Sequence, residues 1–177
     1  MDSIITSSHL HENFDISEST NINCYWISDQ QIANCPINYT NLKKELEHVD
    51  TKNPITTNQI KAGQVYANVF TSGTTGMPKA SRQTNRKWLA TYYWFGKVNM
   101  NLNINDVMYV PLPFCHTNAL IVGWPTALAA SCTMVMRRKF SVTQFWKDVD
   151  KYNVSAFIYI GELCRYLLNA PASELDK

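Results

Sequence analysis

Apolar and polar positions alternate along the chain in a pattern that predicts strands and helices in turn. Short β-prone runs bounded by proline, glycine or asparagine predict strands at 22–28, 65–70, 107–110, 133–136 and 155–159. Apolar residues at helical spacing predict helices over roughly 39–49, 85–98, from 141 onward, and 161–169. Because strands that are separated by helices pair in parallel, we expect an α/β fold: a layered, mostly parallel sheet flanked by helices.

Some segments depart from this alternation. Residues 1–21 are polar and rich in serine, asparagine and glutamate, which predicts a loose N-terminus ahead of a folded region at 22–177. The longest apolar stretch, Ala119–Ala130, is broken by glycine and proline and is too short to span a bilayer, so we expect a buried helix or turn. Ser141 and Gln144 have the spacing of a capping box.

Composition excludes several classes of protein. The chain has 177 residues, an apolar share of 45% and a net charge of +2, which is ordinary for a globular domain and gives no nucleic-acid footprint. The cysteines are widely spaced and odd in number, which favours reduced intracellular thiols over a disulfide framework or zinc site. No signal sequence or transmembrane segment is evident, so we expect an intracellular, cytoplasmic protein that could associate peripherally with membranes.

The segment 71–79 reads Thr-Ser-Gly-Thr-Thr-Gly-Met-Pro-Lys and has the composition of a phosphate-binding loop. Glycine lets backbone N–H groups turn inward, hydroxyl groups add donors, and a lysine neutralises charge. It is not a Walker A loop, because only two residues separate its glycines and alanine follows Lys79. The β-prone run 65–70 precedes it, so the loop should follow the end of a strand.

This loop resembles the phosphate loop of the adenylate-forming superfamily, which includes acyl-CoA synthetases, luciferases and peptide-synthetase adenylation domains. Residues 112–116, Leu-Pro-Phe-Cys-His, resemble its second core motif. The segments 135–141 and 159–169 resemble the branch of fatty-acid transport proteins and very-long-chain acyl-CoA synthetases. The resemblance covers about 65–170 well and 22–64 faintly, which makes the chain part of the large N-terminal domain of such an enzyme.

The resemblance implies that a carboxylic acid reacts with ATP to give an acyl-adenylate and pyrophosphate, after which coenzyme A displaces AMP. The implied partners are therefore a fatty acid, ATP and coenzyme A, with Mg²⁺ carried by ATP and no metal ligand assigned within this chain. The residues that this resemblance places on the ATP phosphates are Thr71, Ser72, Gly73, Thr74, Thr75, Gly76 and Lys79.

By the same resemblance, Lys79 and His116 are the catalytic candidates. Lys79 would balance charge while pyrophosphate leaves, and His116 would form a wall between adenylate and acyl group, with positioning favoured over proton transfer. A nucleophilic role for Cys115 is not needed by this chemistry. The residues expected at the acyl pocket are His116, Leu120, Tyr159, Gly161 and Glu162.

Simpler interpretations stand beside these. Gly161 would allow close backbone approach, and Glu162 could equally be a favourable residue at a helix N-terminus. The basic run 137–139 could meet anionic lipid or the phosphates of coenzyme A, although such runs usually form a solvated turn. Residues 81–85, Ser-Arg-Gln-Thr-Asn, stand where the branch continues with apolar residues and a histidine. Either the sheet edge is exposed here or selection for catalysis has relaxed.

The family's later motifs and its C-terminal domain are not found in these 177 residues. We therefore expect that this chain alone does not complete acyl-CoA synthesis. Three interpretations stay open: part of a long-chain or very-long-chain fatty acid–CoA ligase, a non-catalytic remnant with at most weak nucleotide binding, or a CoA ligase for another acid, such as a carnitine-like or aromatic acid.

Overall fold

The structure, a computed structural model, describes residues 3–7, 10, 22–28, 34–71, 76–172 and 174. The chain divides into two compact units, residues 1–57 and 58–177, so the division does not follow the predicted boundary after residue 21. A 3₁₀ turn, Ile55–Gln59, spans this division in the sequence.

The first unit is a small parallel sheet. Strands β1 (Ser3–Ser7), β2 (Asn23–Ile27) and β3 (Thr40–Asn41) pair in that order, with β2 in the middle. Trp26 on β2 is only 1% exposed. The strand Ser3–Ser7 contradicts the prediction of a loose segment over 1–21. All five of its residues pair in parallel with β2, and their side chains point alternately to the two faces of the sheet. Most of the rest of 1–21 lies outside the described residues.

Helix α1 in this unit covers Leu42–Leu46 and is shorter than the predicted 39–49. It starts after Asn41, whose side-chain oxygen accepts hydrogen bonds from the backbone N–H groups of Lys43 and Lys44, at 3.1 and 3.3 Å. None of its residues is buried, so little packing extends it beyond this cap.

The second unit begins with an antiparallel hairpin. Strand β4 (Val65–Thr71) pairs with β5 (Lys79–Thr84), and Thr71 lies opposite Lys79 at the open end of the connecting loop. Strand β5 explains the polar run 81–85: Arg82 is exposed while Gln83, only 4% exposed, bonds to Ser81. The exposed-edge interpretation of this run is therefore the one that the structure supports.

Two helices then pack side by side. Helix α2 (Asn85–Thr91) continues as a π-helical segment, Tyr92–Asn99, and a second π-helical segment, Asn118–Gly123, continues as α3 (Trp124–Ala130). At their contact, a Cβ added to Gly96 would lie 2.2 Å from the Cβ of Ala129, so only glycine allows this approach. The predicted helix over 85–98 and the buried helix over 119–130 are both present.

A second parallel sheet carries the core. Its strands β6 (Val107–Val110), β7 (Thr133–Met136) and β8 (Ala156–Phe157) lie in the order β7-β6-β8. Helix α4 (Val142–Lys151) connects β7 to β8, and α5 (Gly161–Leu168) follows β8. The first two strands match their predicted bounds and β8 is shorter than the predicted 155–159. The predicted α/β class is confirmed.

The middle strand β6 is buried on both faces. Met108 and Val110 pack with Ala119, Ala127 and other apolar residues of one layer. On the opposite face the ring of Tyr109 lies 5.4 Å, centroid to centroid, from that of Phe145 on α4. The sheet is therefore covered by helices on both sides, as expected for parallel strands.

One ion pair joins this sheet to α4. Asp148 is 4% exposed, and its carboxylate accepts hydrogen bonds from the guanidinium of Arg137 and, at 2.7 Å, from the Tyr109 hydroxyl. The hydrogen bond from Arg137 is the main cause that lowers the pKa of Asp148. Burial, followed by the bond to Asp148, raises the pKa of Tyr109.

The start of α4 differs from the predicted capping box. Ser141 is the N-cap residue, but its hydroxyl lies 3.2 Å from that of Thr143 and caps no backbone N–H.

The sequence analysis did not predict that Asp148 is buried. A carboxylate on a helix is normally expected to face the solvent.

Within the described ranges, no helix combines the length and the apolar character needed to cross a bilayer.

The Asp148 network gives a pH-dependent prediction. We expect Asp148→Asn to lower the free energy of unfolding by about 1.5–3 kcal/mol at pH 7, because a charge-assisted bond to Arg137 is lost. The folded-state pKa of Asp148 is lowered, so its contribution is complete above about pH 4 and is lost as the pH falls below that value. Urea unfolding at pH 7 and pH 3, followed by tryptophan fluorescence, measures both effects.

The control is Asp150→Asn, on the same helix but exposed, which should change the free energy of unfolding little at either pH. A gap between the Asp148→Asn variant and the unsubstituted chain that stays constant from pH 7 to pH 3 would contradict this account.

Candidate functional site

The base of the predicted phosphate loop is the open end of the β4–β5 hairpin. Thr71 and Lys79 are paired residues, and the Thr71 hydroxyl donates a 3.2 Å hydrogen bond to the Lys79 carbonyl oxygen. The two strands therefore hold both ends of the loop side by side. Ser72, Gly73, Thr74 and Thr75, four of the residues predicted to contact ATP phosphates, lie outside the described residues.

Gly76 and Lys79, at the described end of this loop, are both exposed. Gly76 has a φ of 149°, a conformation that side chains other than glycine rarely adopt, and open space surrounds it. Lys79 is exposed, and no carboxylate of the described residues forms an ion pair with it. Its ammonium group is thus available for an anion. Thr71 is less available, since its hydroxyl proton is directed to the hairpin.

His116 lies close to this hairpin. It belongs to the turn after β6, where its backbone N–H donates to the Pro113 carbonyl oxygen at 2.9 Å and its carbonyl accepts from Leu120 at 3.1 Å. A cavity of about 340 Å³ lies between the two segments, lined by Val69, Phe70, Thr71, Pro113, Cys115, His116 and Thr117. The end of β4 and the histidine turn therefore share one cavity.

Asn118 bonds to the ring of His116, a role that the sequence analysis did not assign to it. Its backbone N–H donates to Nδ1 of His116 at 3.1 Å, and its side-chain Nδ2 donates to the Tyr159 carbonyl oxygen at 3.2 Å. Because Nδ1 accepts, the neutral ring carries its proton on Nε2 and can donate from that atom. A lone asparagine after a histidine gives no sequence signal for this role.

Two further cavities lie next to the first and share wall residues with it or with each other. The second, of about 430 Å³, shares His116 and Thr117 with the first and is also lined by Ser81, Gln83, Lys87, Asn118, Ile121, Val122 and Ile160. The third, of about 400 Å³, shares Asn118 and Val122 with the second. Its other walls are Phe95, Met100, Met108, Thr126, Phe157, Ile158 and Tyr159. The three cavities thus form a row of neighbours, the first at the loop base and the third mainly apolar.

The other predicted acyl-pocket residues differ in position. Tyr159 lines the third cavity, whereas Leu120, Gly161 and Glu162 line none of the three. A Cβ added to Gly161 would meet no atom of the described residues within 4 Å, so its expected role at the acyl pocket stays a prediction. Glu162 is exposed at the start of α5 and pairs with Arg165, whose hydrogen bond is the main cause that lowers the pKa of Glu162.

A glycine that the sequence analysis did not single out shapes this row. A Cβ added to Gly123 would lie 2.7 Å from Cδ1 of Ile158 and 2.8 Å from Cγ2 of Val110. Gly123 therefore sets how closely the segment carrying Asn118 and Val122 packs on the sheet.

The basic run 137–139 borders a separate cavity of about 440 Å³ with all three of its residues. Arg137 is paired there with Asp148, as described above, while Arg138 and Lys139 are exposed. Among the described residues, no group of three or more His, Cys, Asp or Glu side chains could hold a metal ion.

The sequence of residues 6–177 matches one family model, that of the AMP-binding enzyme. The chain belongs to the AMP-binding enzyme family. The resemblance given by 71–79 and 112–116 is thereby confirmed, and the relatives support its fatty-acid branch.

Two curated relatives of this AMP-binding chain illustrate that branch. A medium/long-chain-fatty-acid–CoA ligase, FadD6 of Mycobacterium tuberculosis, is 40% identical over 125 residues, which are 71% of this chain and 21% of the relative. Long-chain fatty acid transport protein 3 of Mus musculus is 42% identical over 108 residues, 61% of this chain and 16% of the relative. The chain therefore spans about a fifth of the length of these relatives.

Solved AMP-binding structures share the fold at low identity. The N-terminal domain of FACL13 from Mycobacterium tuberculosis has a TM-score of 0.66 and 18% identity, covering 94% of this chain and 39% of that one. ATP-bound MatB from Rhodopseudomonas palustris has a TM-score of 0.67 and 17% identity, covering 96% of this chain and 32% of that one.

The hydrogen bond from Asn118 predicts one tautomer of His116. In the neutral ring, we expect the proton on Nε2, because Nδ1 accepts the backbone N–H of Asn118. Long-range ¹H–¹⁵N correlation spectra of the ¹⁵N-labelled chain distinguish the two nitrogens by their chemical shifts. His48, for which the structure gives no such bond, is the internal reference. A neutral His116 with its proton on Nδ1 would disprove the assignment.

Proposed function

We propose that this chain forms part of the adenylation site of an ATP-dependent long-chain or very-long-chain fatty acid–CoA ligase. The observation that supports the proposal is the row of three neighbouring cavities, which share the wall residues His116 and Asn118 in turn. The first borders the base of the phosphate loop and the third is mainly apolar, which suits a site for a triphosphate and the carboxylate of an aliphatic acid.

At the first end, the loop 71–79 would hold the β- and γ-phosphates of ATP. The exposed ammonium of Lys79 would offset the negative charge that grows as pyrophosphate leaves. Mg²⁺ carried by the triphosphate would offset more of this charge, and we assign it no ligand among the described residues. Thr71 would have to turn its hydroxyl proton away from Lys79 before it could contact a phosphate.

In the middle, His116 would orient the acid. Its Nε2–H would donate to the carboxylate oxygen that is not attacking, while the other oxygen attacks the α-phosphorus of ATP. The bond between the α-phosphorus and the bridging oxygen breaks, and pyrophosphate carries away the electron pair. The product is an acyl-adenylate.

At the far end, the apolar cavity beyond Asn118 and Val122 would take the aliphatic chain. A thiol of coenzyme A would then attack the acyl carbon and AMP would leave, giving the thioester. The expected intracellular location and peripheral membrane association stay predictions.

The nucleotide end is tested at Lys79. We expect Lys79→Met to weaken binding of MgATP to the 177-residue chain by at least about tenfold, since a charge facing the triphosphate is lost. Isothermal titration calorimetry measures the dissociation constant. Lys61→Met, also exposed and in the same unit, is the matched control and should bind MgATP as the unsubstituted chain does. Equal affinity of both variants would argue against the assigned role of the loop.

The acid end is tested at Val122, which lines both the second and the third cavity. We expect Val122→Trp to weaken binding of a long-chain acid by at least about tenfold while MgATP binding is kept, because the indole would fill the junction. Displacement of a fluorescent fatty acid measures the first affinity and calorimetry the second. Val98→Trp places the same ring on an exposed helical position as the control. Undiminished acid binding by Val122→Trp would refute the route.

A further inference from the structure

The cavity of about 440 Å³ beside the basic run 137–139 lies apart from the row of three, and we call it the basic cavity. Its walls include Arg137, Arg138, Lys139, Asp148 and Tyr152, none of which lines a cavity of the row. It lies where β7 ends, and ligands of parallel α/β sheets commonly bind outside the carboxyl ends of the strands. The proposed adenylation site makes no use of this cavity.

The conformation of the basic run brings its charges together. In a straight extended segment the side chain of residue 138 would point away from those of residues 137 and 139. The chain bends at residues 138 and 139 instead, and all three side chains border the same cavity. Mutual repulsion of three adjacent cations opposes such an arrangement, which an anion in the cavity would stabilise.

Arg137 is oriented from behind by a buried acid. Its Nε and Nη2 donate to the carboxylate of Asp148, which is 4% exposed and also accepts from the Tyr109 hydroxyl. Its Nη1 carries two further N–H groups that neither bond uses, and the side chain is still 34% exposed. A guanidinium that is already fixed loses little entropy when it bonds to a ligand from its free edge.

The charge around the cavity favours an anion that carries more than one negative charge. Among the described residues that line it, three are cationic and only Asp148 is acidic. Lys139 is exposed and forms no ion pair with a described carboxylate. The ammonium of Lys151 lies 5.0 Å from the ring centroid of Tyr152, another wall residue.

We propose that the basic cavity binds a phosphate monoester, with Arg137 and Lys139 as the residues that contact it. A phosphate monoester carries about 1.5 to 2 negative charges at neutral pH and three terminal oxygen atoms, so it can bond to a guanidinium and an ammonium at once. A carboxylate or a phosphodiester carries a single charge and fits this excess of cations less well. The proposal does not depend on the function proposed for the row of cavities.

Two sources could supply this group: a soluble phosphate ester, such as the 3′-phosphate of coenzyme A, and the headgroup of a phospholipid. The first experiment tests the shared chemistry with inorganic phosphate as the probe. ¹H–¹⁵N spectra of the ¹⁵N-labelled chain at constant ionic strength should show saturable shifts of the amides of 137–139 and of the Nε–H of Arg137.

Substitution of Lys139 locates the site. We expect Lys139→Gln to weaken phosphate binding at these amides by at least about fivefold, because one of the two contacting cations is lost. Lys147→Gln removes the same charge from an exposed position on α4 that does not line the cavity, so it is the matched control. Arg137 is kept, since its removal would leave the buried Asp148 unpaired.

Two further comparisons distinguish the sources. Coenzyme A and dephospho-coenzyme A differ by one phosphate monoester, and stronger shifts at 137–139 with coenzyme A would identify a soluble ligand. Phosphatidylcholine vesicles that contain phosphatidic acid, a monoester, or the same content of phosphatidylglycerol, a diester, test the lipid source by co-sedimentation. Preference for phosphatidic acid that is lost in Lys139→Gln and kept in Lys147→Gln would identify the lipid.

Three results would overturn the proposal. The first is an absence of shifts at 137–139 with inorganic phosphate. The second is an equal loss of binding in Lys139→Gln and Lys147→Gln, which would indicate attraction by the net charge of the chain alone. The third is a lack of preference for the monoester in both comparisons. None of these results bears on the binding of MgATP or of an acid in the row of cavities.

Discussion

The candidate site depends on the burial of one strand. Met108, Tyr109 and Val110 of β6 have no exposed surface, so the strand is held from both faces. The turn that carries His116 follows this strand directly, and its backbone is tied to Pro113. A buried parallel strand fixes the position of the polar groups that follow its end, and binding and catalytic residues are often found there.

Two contacts of the helical segment after this turn also hold the walls of the cavities in place. Asn118 bonds at once to His116 and to the backbone after β8, so the histidine turn and the neighbouring strand cannot move independently. Gly123 lets the same helical segment lie against Val110 and Ile158. Both contacts hold the helical segment that carries Asn118 and Val122 against the sheet.

Much of this could be predicted from the sequence, for identifiable reasons. Strands β6 and β7 are short apolar runs closed by polar residues or proline, so their bounds match the prediction. The segment 71–79 and His116 lie in motifs that can be recognised from a few consecutive residues. By contrast, Asn118 and Asp148 act through partners 41 and 39 positions away, at Tyr159 and Tyr109. Pairings over such distances depend on how strands stack, which periodicity does not encode.

Leu120 and Glu162 were placed at the acyl pocket by their positions relative to motifs, and that role stays a prediction. Neither residue lines the three cavities, whereas Val122, on the π-helical segment Asn118–Gly123, lines the second and the third. A π-helical turn holds more residues than an α-helical turn. Counting residues from a motif therefore does not show which side chain of this segment borders a cavity.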